Sequence, residues 1–213
     1  MRPYSAVIFD MDGVIVDSEP RHEQTFREIF HELGYGDRHG IQFHDYIGRS
    51  DRALWDDFIA MHRPTQTLEA LTELKQSRFL DNIRAVQPIF PGIPELVAKL
   101  SPTTRLAVAS GSLHVVIETV LGMRDLKRHF PVVVSVQDVA HPKPAPDIFL
   151  HAAKRLGVPP QECVVIEDSA AGVAAARAAN MRVIAITNTL PANKLRDADA
   201  VVSSYAEIER LLL

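Results

Sequence analysis

The sequence predicts an α/β protein: a parallel sheet core with helices on both faces, plus a small inserted all-α cap domain. After residue 88, short runs that are apolar at successive positions alternate with helical patterns. Such runs suit strands that are covered on both faces, as in a parallel sheet with crossover helices. Residues 17–87 are instead charged and helical, without a convincing strand. With 213 residues, of which 46% are hydrophobic, the chain is long enough to bury a sizeable core.

Six runs are candidate strands, in chain order SAVIFD (5–10), RLAVAS (105–110), VVVSV (132–136), CVVIE (163–167), RVIAIT (182–187) and AVVSS (200–204). The helices between them have recognisable ends. In DIFLHAAKRLG (147–157), apolar residues share one face and Gly157 supplies the stop. We therefore assign residues 1–16 and 88–213 to a Rossmann-like core.

Residues 17–87 are expected to form the helical cap. Three helices are indicated, by an apolar stripe at Phe26, Ile29, Phe30 and Leu33, by a segment from an N-cap at Ser50 to Met61, and by Leu68, Leu71 and Leu74. Trp55 and Phe58, at helical spacing, are expected in the core of this cap.

Composition narrows the classes of function. The net charge is −4 and no basic cluster occurs, so we expect no binding to nucleic acid. The single cysteine, Cys163, cannot form an internal disulfide and is expected to be a buried, inert thiol. No signal peptide and no apolar run of membrane-spanning length is apparent, which predicts a soluble, cytoplasmic protein without a membrane partner. The sequence does not indicate an oligomeric state.

Polar residues follow the candidate strands where each one ends. The first strand ends in Asp10, with Asp12 two residues later, and the second ends in Ser110-Gly111-Ser112. The third is followed by HPKPAP, which contains Lys143, and the fourth ends in Glu167-Asp168. In open α/β sheets, ligands bind beyond the carboxyl ends of the strands. These side chains are therefore expected to share one site.

Four carboxylates at one sheet edge would repel each other and raise each other's pKa unless a cation lay among them. Oxygen ligands in this number suit Mg²⁺, with substrate phosphate filling a further position. The predicted metal-binding residues are Asp10, Asp12, Glu167 and Asp168. Ser110, Gly111 and Lys143 offer the hydroxyl, amide and ammonium groups that a phosphate dianion needs.

This set of groups suggests transfer of a phosphoryl group. Asp10 is the candidate nucleophile, attacking phosphorus to form an aspartyl-phosphate. Asp12 is the candidate general acid for the leaving oxygen and the general base for the attacking water. Lys143 and Mg²⁺ would neutralise the transferring oxygens.

The sequence resembles the haloacid dehalogenase superfamily through four motifs in the expected order, namely DMDGV (10–14), Ser110 after a strand, Lys143 in HPKPAPDIF, and EDSAAG (167–172). The resemblance implies a Mg²⁺-dependent phosphotransferase with a helical cap between its first and second motifs. It also implies that Asp12 gives its backbone carbonyl to the metal. Carbon–halogen hydrolysis is disfavoured, because that branch needs neither the second aspartate nor the metal ligands.

Three functions remain open: a phosphatase acting on a small phosphorylated metabolite, a sugar phosphomutase, and a silent phosphate-binding module. His22 lies where β-phosphoglucomutase-like proteins place a histidine. That branch, however, follows its serine motif with Lys and Asn, where this chain has Leu113 and His114, and it carries Arg where this chain has Asp51. We therefore favour hydrolysis over the mutase. The expected substrate contacts in the cap are His22, Arg49, Arg52 and Lys75.

Overall fold

The computed structural model describes residues 4–46 and 51–213. Its sheet is parallel throughout and has six strands in the order β3-β2-β1-β4-β5-β6. The strands are β1 (Ala6–Phe9), β2 (Arg105–Ser110), β3 (Val132–Ser135), β4 (Cys163–Glu167), β5 (Arg182–Ile186) and β6 (Ala200–Val202). The predicted α/β class and parallel sheet are confirmed.

The chain divides into two compact units. Residues 1–17 and 88–213 form the α/β unit, and residues 18–87 form the helical unit. Within the described residues, no helix combines the length and the apolar character that crossing a bilayer requires.

Strand β1 lies at the centre of the sheet and is buried along its whole length. Because alternate side chains of a strand point to opposite faces, its four apolar residues serve two cores. Ala6 and Ile8 belong to a cluster that includes Phe149. On the other face, Phe9 packs edge to face against Phe130, with ring centroids 5.6 Å apart. The continuous apolar runs in the sequence reflect this two-sided burial.

In the described part of the α/β unit, five α-helices accompany the sheet: α4 (Ile93–Leu100), α5 (His114–Gly122), α6 (Asp147–Leu156), α7 (Ala170–Ala178) and α8 (Tyr205–Leu212). Helix α6 ends at Gly157, whose φ of 66° lies in the left-handed region that glycine adopts without steric cost. Helix α7 begins directly after β4, with Ser169 as its N-cap: the Ser169 hydroxyl accepts a hydrogen bond from the amide of Gly172.

The helical unit consists of α1 (Glu19–Glu32), α2 (Asp51–His62) and α3 (Leu68–Val86), joined in part by short 3₁₀ turns. Its core is aromatic: Trp55 lies 5.0 Å from Phe26 and 5.8 Å from Phe58, measured between ring centroids. Trp55 and Phe58 are fully buried, as predicted. The predicted N-cap of α2, Ser50, lies outside the described residues.

Candidate active site

Three neighbouring strands bring their polar ends to one edge of the sheet. Asp10 follows β1, Ser110 ends β2 and Glu167 ends β4, and β1 is hydrogen-bonded to both of the other strands. Phe9 pairs with Ile166, so Asp10 and Glu167 stand side by side at the ends of their strands. Parallel pairing therefore brings together residues that lie up to 157 positions apart in the sequence.

Lys143 joins the two carboxylates. Its Nζ lies 2.5 Å from Oδ1 of Asp10 and 2.8 Å from Oε1 of Glu167. The Lys143 side chain is only 13% exposed, and its ammonium also lies 4.9 Å from the ring centroid of Phe149. Burial by itself would lower the pKa of Lys143, but the charges of Asp10 and Glu167 raise it above its ordinary value. Lys143 is therefore a fixed cation in this site.

Asp10, Glu167 and Asp168 form a buried cluster in which one carboxylate oxygen of each lies within 4.8 Å of the others. Burial is the largest cause raising the pKa of Asp10, and the charges of Glu167 and Asp12 add to it against Lys143. The pKa of Asp168 is raised by burial and by the charges of Glu167 and Asp10. One lysine does not balance three buried carboxylates, so a hard divalent cation fits the donor set.

Glu167 is the most firmly held member of the cluster. Its Oε2 accepts hydrogen bonds from the amides of Asp168 and Ser169, both at 2.7 Å, and from the Ser169 hydroxyl at 2.9 Å. A Cβ at Gly172 would collide with the Glu167 carboxylate, so only glycine leaves room for it. Both oxygens of Glu167 already have protein partners, which makes Glu167 an organiser of Lys143 and of the start of α7.

Residues after β5 complete the site and are not among those predicted from sequence. Thr189 hydrogen-bonds the Asp168 carboxylate, and Asn188 donates to the carbonyl of Gly13 at 2.8 Å. Gly13 has a φ of 73°, and a Cβ there would collide with Asp168. The hydroxyl of Tyr205 donates to the carbonyl of Val14 at 2.7 Å. Together these contacts fix the loop that carries Asp12.

Asp12 faces the loop that follows β2. Its Oδ2 accepts hydrogen bonds from Ser112 Oγ at 2.8 Å and from Ser110 Oγ at 3.3 Å. Ser110 is fully buried, whereas Asp12 and Ser112 are half-buried and Gly111 between the two serines is exposed. The structure thus brings together all the site residues predicted for the core, and Ser112 is an additional member.

The helical unit holds a second polar cluster. Lys75 is buried, and its Nζ lies 2.5 Å from His22 Nδ1 and 2.5 Å from Asp51 Oδ2. The His22 ring stacks on Phe79, with centroids 4.0 Å apart. A cavity of about 390 Å³ in this unit is lined by residues that include His22, Asp51, Glu19, Glu23 and Phe26.

The other two predicted contacts in the cap differ from this pair. Arg52 is exposed, and its Nε lies 3.5 Å from Oδ2 of Asp56 on the same helix. Arg49 lies outside the described residues.

Comparison with known proteins agrees with this geometry. Residues 4–180 match the haloacid dehalogenase-like hydrolase family. The chain is 36% identical over 186 residues to fructose-1-phosphate phosphatase YqaB of Escherichia coli K12, covering 84% of this chain and 94% of that protein. It is 32% identical over 213 residues to hexitol phosphatase B of the same strain, covering 97% of this chain and 95% of that protein.

Among solved structures, the chain is similar to a putative β-phosphoglucomutase from Thermotoga maritima, with a TM-score of 0.82 and 28% identity over 98% of both chains. The family match spans most of the chain and includes all four motifs. The chain therefore belongs to the haloacid dehalogenase-like hydrolase family.

Proposed function

We propose that this protein is a Mg²⁺-dependent phosphatase that hydrolyses a small phosphorylated metabolite through an aspartyl-phosphate on Asp10. The observation that carries the proposal is the position of Asp10. Its carboxylate lies at the centre of the site, 2.5 Å from the Lys143 ammonium and inside a cluster of buried acids. A structural carboxylate at a strand end needs neither a second aspartate two residues later nor the serine hydroxyls that bind that second aspartate.

The reaction requires two displacements at phosphorus. A carboxylate oxygen of Asp10 attacks phosphorus, the bond to the leaving oxygen breaks, and Asp12 gives that oxygen its proton. Asp12 then takes a proton from water, the water oxygen attacks phosphorus, and the bond to Asp10 breaks to release inorganic phosphate. Lys143 stays protonated and balances the charge of the phosphoryl oxygens.

The metal belongs to the proposal because the donor set fits it. Asp10 and Asp168, with the carbonyl of Asp12, are the residues that would hold Mg²⁺. When bound, the ion supplies electrostatic stabilisation to the oxygens of the transferring group. Glu167, which the sequence also predicts as a ligand, has protein donors on both of its oxygens, so its part in the proposal is to orient Lys143 and to add negative charge beside the metal ligands.

A sugar or polyol phosphate is the substrate class that we favour. The two curated relatives described above are named for fructose 1-phosphate and hexitol phosphates and align along most of this chain. Carboxylates and imidazoles line the cavity of the helical unit together with Phe26, and such groups suit the hydroxyls of a polyol. A phosphoglycolate-like acid is the alternative metabolite.

Phosphomutase activity is the second candidate. The similarity to a putative β-phosphoglucomutase and the position of His22 favour it. A mutase must also bind the second phosphate of a bisphosphate, which requires a further cationic pocket. In the described part of the helical unit, the buried ammonium of Lys75 already contacts the carboxylate of Asp51, which neutralises it. This contact supports hydrolysis.

The test is a panel of sugar phosphates, hexitol phosphates, phosphoglycolate and nucleotides, assayed with Mg²⁺ and with a chelator. Free phosphate and isomerised product are measured in the same reactions. We expect Mg²⁺-dependent release of phosphate from one or more sugar or polyol phosphates. An isomerised product without release of phosphate would establish the mutase instead.

The variant Asp10→Asn tests the nucleophile. We expect it to retain the circular dichroism spectrum of the wild type and to lose turnover. Asp147→Asn is a matched control, because Asp147 is a partly exposed carboxylate that contacts His141 and lies outside the site. Release of phosphate by Asp10→Asn at the rate of the wild type would refute the proposed mechanism.

A further inference from the structure

The general acid predicted for the reaction, Asp12, is held by two serine hydroxyls from the loop after β2. Ser112 Oγ is the nearer donor, at 2.8 Å, and Ser110 Oγ lies at 3.3 Å from the same oxygen, Oδ2. The two serines are separated by a single glycine, yet they differ in burial, because Ser110 ends a strand and Ser112 lies in the loop.

The backbone of Ser112 is fixed from two sides. Its amide donates to Ser110 Oγ at 3.0 Å, and its carbonyl accepts a hydrogen bond of 2.7 Å from the buried hydroxyl of Ser135 at the end of β3. Ser135 is in turn held by Asp138, whose carboxylate accepts from the Ser135 amide at 2.9 Å. A hydroxyl on so constrained a backbone can hold its acceptor in one place.

The two hydroxyls cannot perform the same task when a phosphate is present. Each serine hydroxyl has a single proton to donate. If Ser110 donates its proton to a phosphate oxygen, it no longer donates to Asp12. Ser112 then remains to hold the carboxyl group. Because a hydroxyl can both donate and accept, Ser112 can bind Asp12 in its ionised and in its protonated form.

We propose that Ser112 is a positioning residue for Asp12: it keeps the Asp12 carboxyl aligned with the leaving oxygen while Ser110 donates a hydrogen bond to the phosphate. The inference rests on the proposed function, in which Asp12 is the general acid and base. Ser112 itself does not exchange a proton with the substrate. Replacing Ser112 should therefore slow reactions in which proton transfer to the leaving oxygen limits the rate. It should leave the affinity for phosphate unchanged.

The experiment compares Ser112→Ala, Ser112→Thr and Ser110→Ala on two substrates. A sugar phosphate has a poor leaving group that needs a proton, whereas p-nitrophenyl phosphate has a good leaving group that does not. The parameter is kcat/KM, since it reports steps up to departure of the leaving group and excludes hydrolysis of the aspartyl-phosphate. Ser101→Ala is the matched control, because Ser101 precedes β2 at the opposite edge of the sheet and its hydroxyl contacts His129.

For Ser112→Ala we expect kcat/KM on the sugar phosphate to fall by roughly 10- to 100-fold, the scale of a misaligned general acid. On p-nitrophenyl phosphate the fall should be several-fold smaller, and Ser112→Thr should restore much of the loss. Calorimetric titration with inorganic phosphate and Mg²⁺ provides a readout that does not depend on turnover. The affinity should be unchanged in Ser112→Ala and weakened in Ser110→Ala.

Equal losses on the two substrates, or weaker binding of phosphate by Ser112→Ala, would overturn the inference, because a loop that is merely disturbed gives that result. Asp12→Ala separates this failure from a failure of the proposed function. If Asp12→Ala shows the dependence on the leaving group and Ser112→Ala does not, only the role of Ser112 is wrong. If Asp10→Asn retains turnover, the proposed mechanism itself is wrong.

Discussion

Replacing Lys143 by methionine removes the cation that joins Asp10 and Glu167 and leaves two carboxylates buried together. The Lys143, Asp10 and Glu167 side chains are 13%, 8% and 1% exposed, so solvent screens this loss poorly. Removing one partner of a buried ion pair costs about 3–5 kcal/mol. At about 2–4 °C per kcal/mol for a chain of this size, the melting temperature should fall by roughly 6–20 °C.

The assay is unfolding by urea, which gives the free energy of unfolding, and by heat, which gives the melting temperature; both are followed by circular dichroism, which reports on both units. Fluorescence alone would not suffice, because Trp55, the only tryptophan, lies in the helical unit. Lys99→Met is the matched control, since Lys99 forms an exposed pair with Glu209 that is worth at most about 1 kcal/mol.

The loss of stability in Lys143→Met should also depend on pH. Without the ammonium, the pKa of Asp10 rises further above its ordinary value, so protonation of Asp10 relieves the repulsion and the loss shrinks as the pH falls from 8 to 5. A destabilisation no larger than that of Lys99→Met, or one that stays constant over this range, would refute the account of Lys143 as the charge that balances the site.

Three further outcomes follow from the structure. Gly172→Ala should destabilise the chain and abolish turnover, because its Cβ collides with Glu167, and normal activity with an unchanged melting temperature would contradict this. Burial raises the pKa of Asp10 and Asp168 above 3.8, their ordinary value. Above that pH the Mg²⁺-free folded chain therefore binds more protons than the unfolded chain, and the folded chain loses stability as the pH rises. The rise in melting temperature caused by Mg²⁺ should therefore be larger at pH 8 than at pH 6, and Asp168→Asn should remove most of the difference; a shift independent of pH counts against metal binding here. Burial raises the pKa of the Cys163 thiol to about 11, so a thiol reagent should label it only after denaturation; rapid labelling of the folded chain would show the thiol to be accessible.

The central part of the site was predictable because its geometry follows from strand order. Asp10, Ser110 and Glu167 each end an apolar run, and parallel strands bring such ends to one edge. The same rule extends to β5, which is followed by the polar residues Thr187, Asn188 and Thr189, so the partner of Asp168 had a signal in the sequence. That signal was weak, because short polar loops after strands are common.

Other contacts had no signal in the sequence. The hydrogen bond between Ser112 and Asp12 joins residues 100 positions apart and depends on the conformation of both side chains. The contact between Lys75 and Asp51 likewise depends on how two helices of the helical unit pack. Periodicity predicts which face of a helix is buried, but it does not predict which polar groups will meet there.

The central place of β1 has a consequence for synthesis on the ribosome. The strand that bears Asp10 is made first, but its neighbours begin only at residues 105 and 163. One side of this wholly apolar strand therefore stays open until most of the chain has been translated, which is the stage at which chaperones protect nascent proteins from aggregation. The same delay keeps Asp10 apart from Glu167 and Asp168 until Lys143, which is made before both of them, is available to pair with these acids.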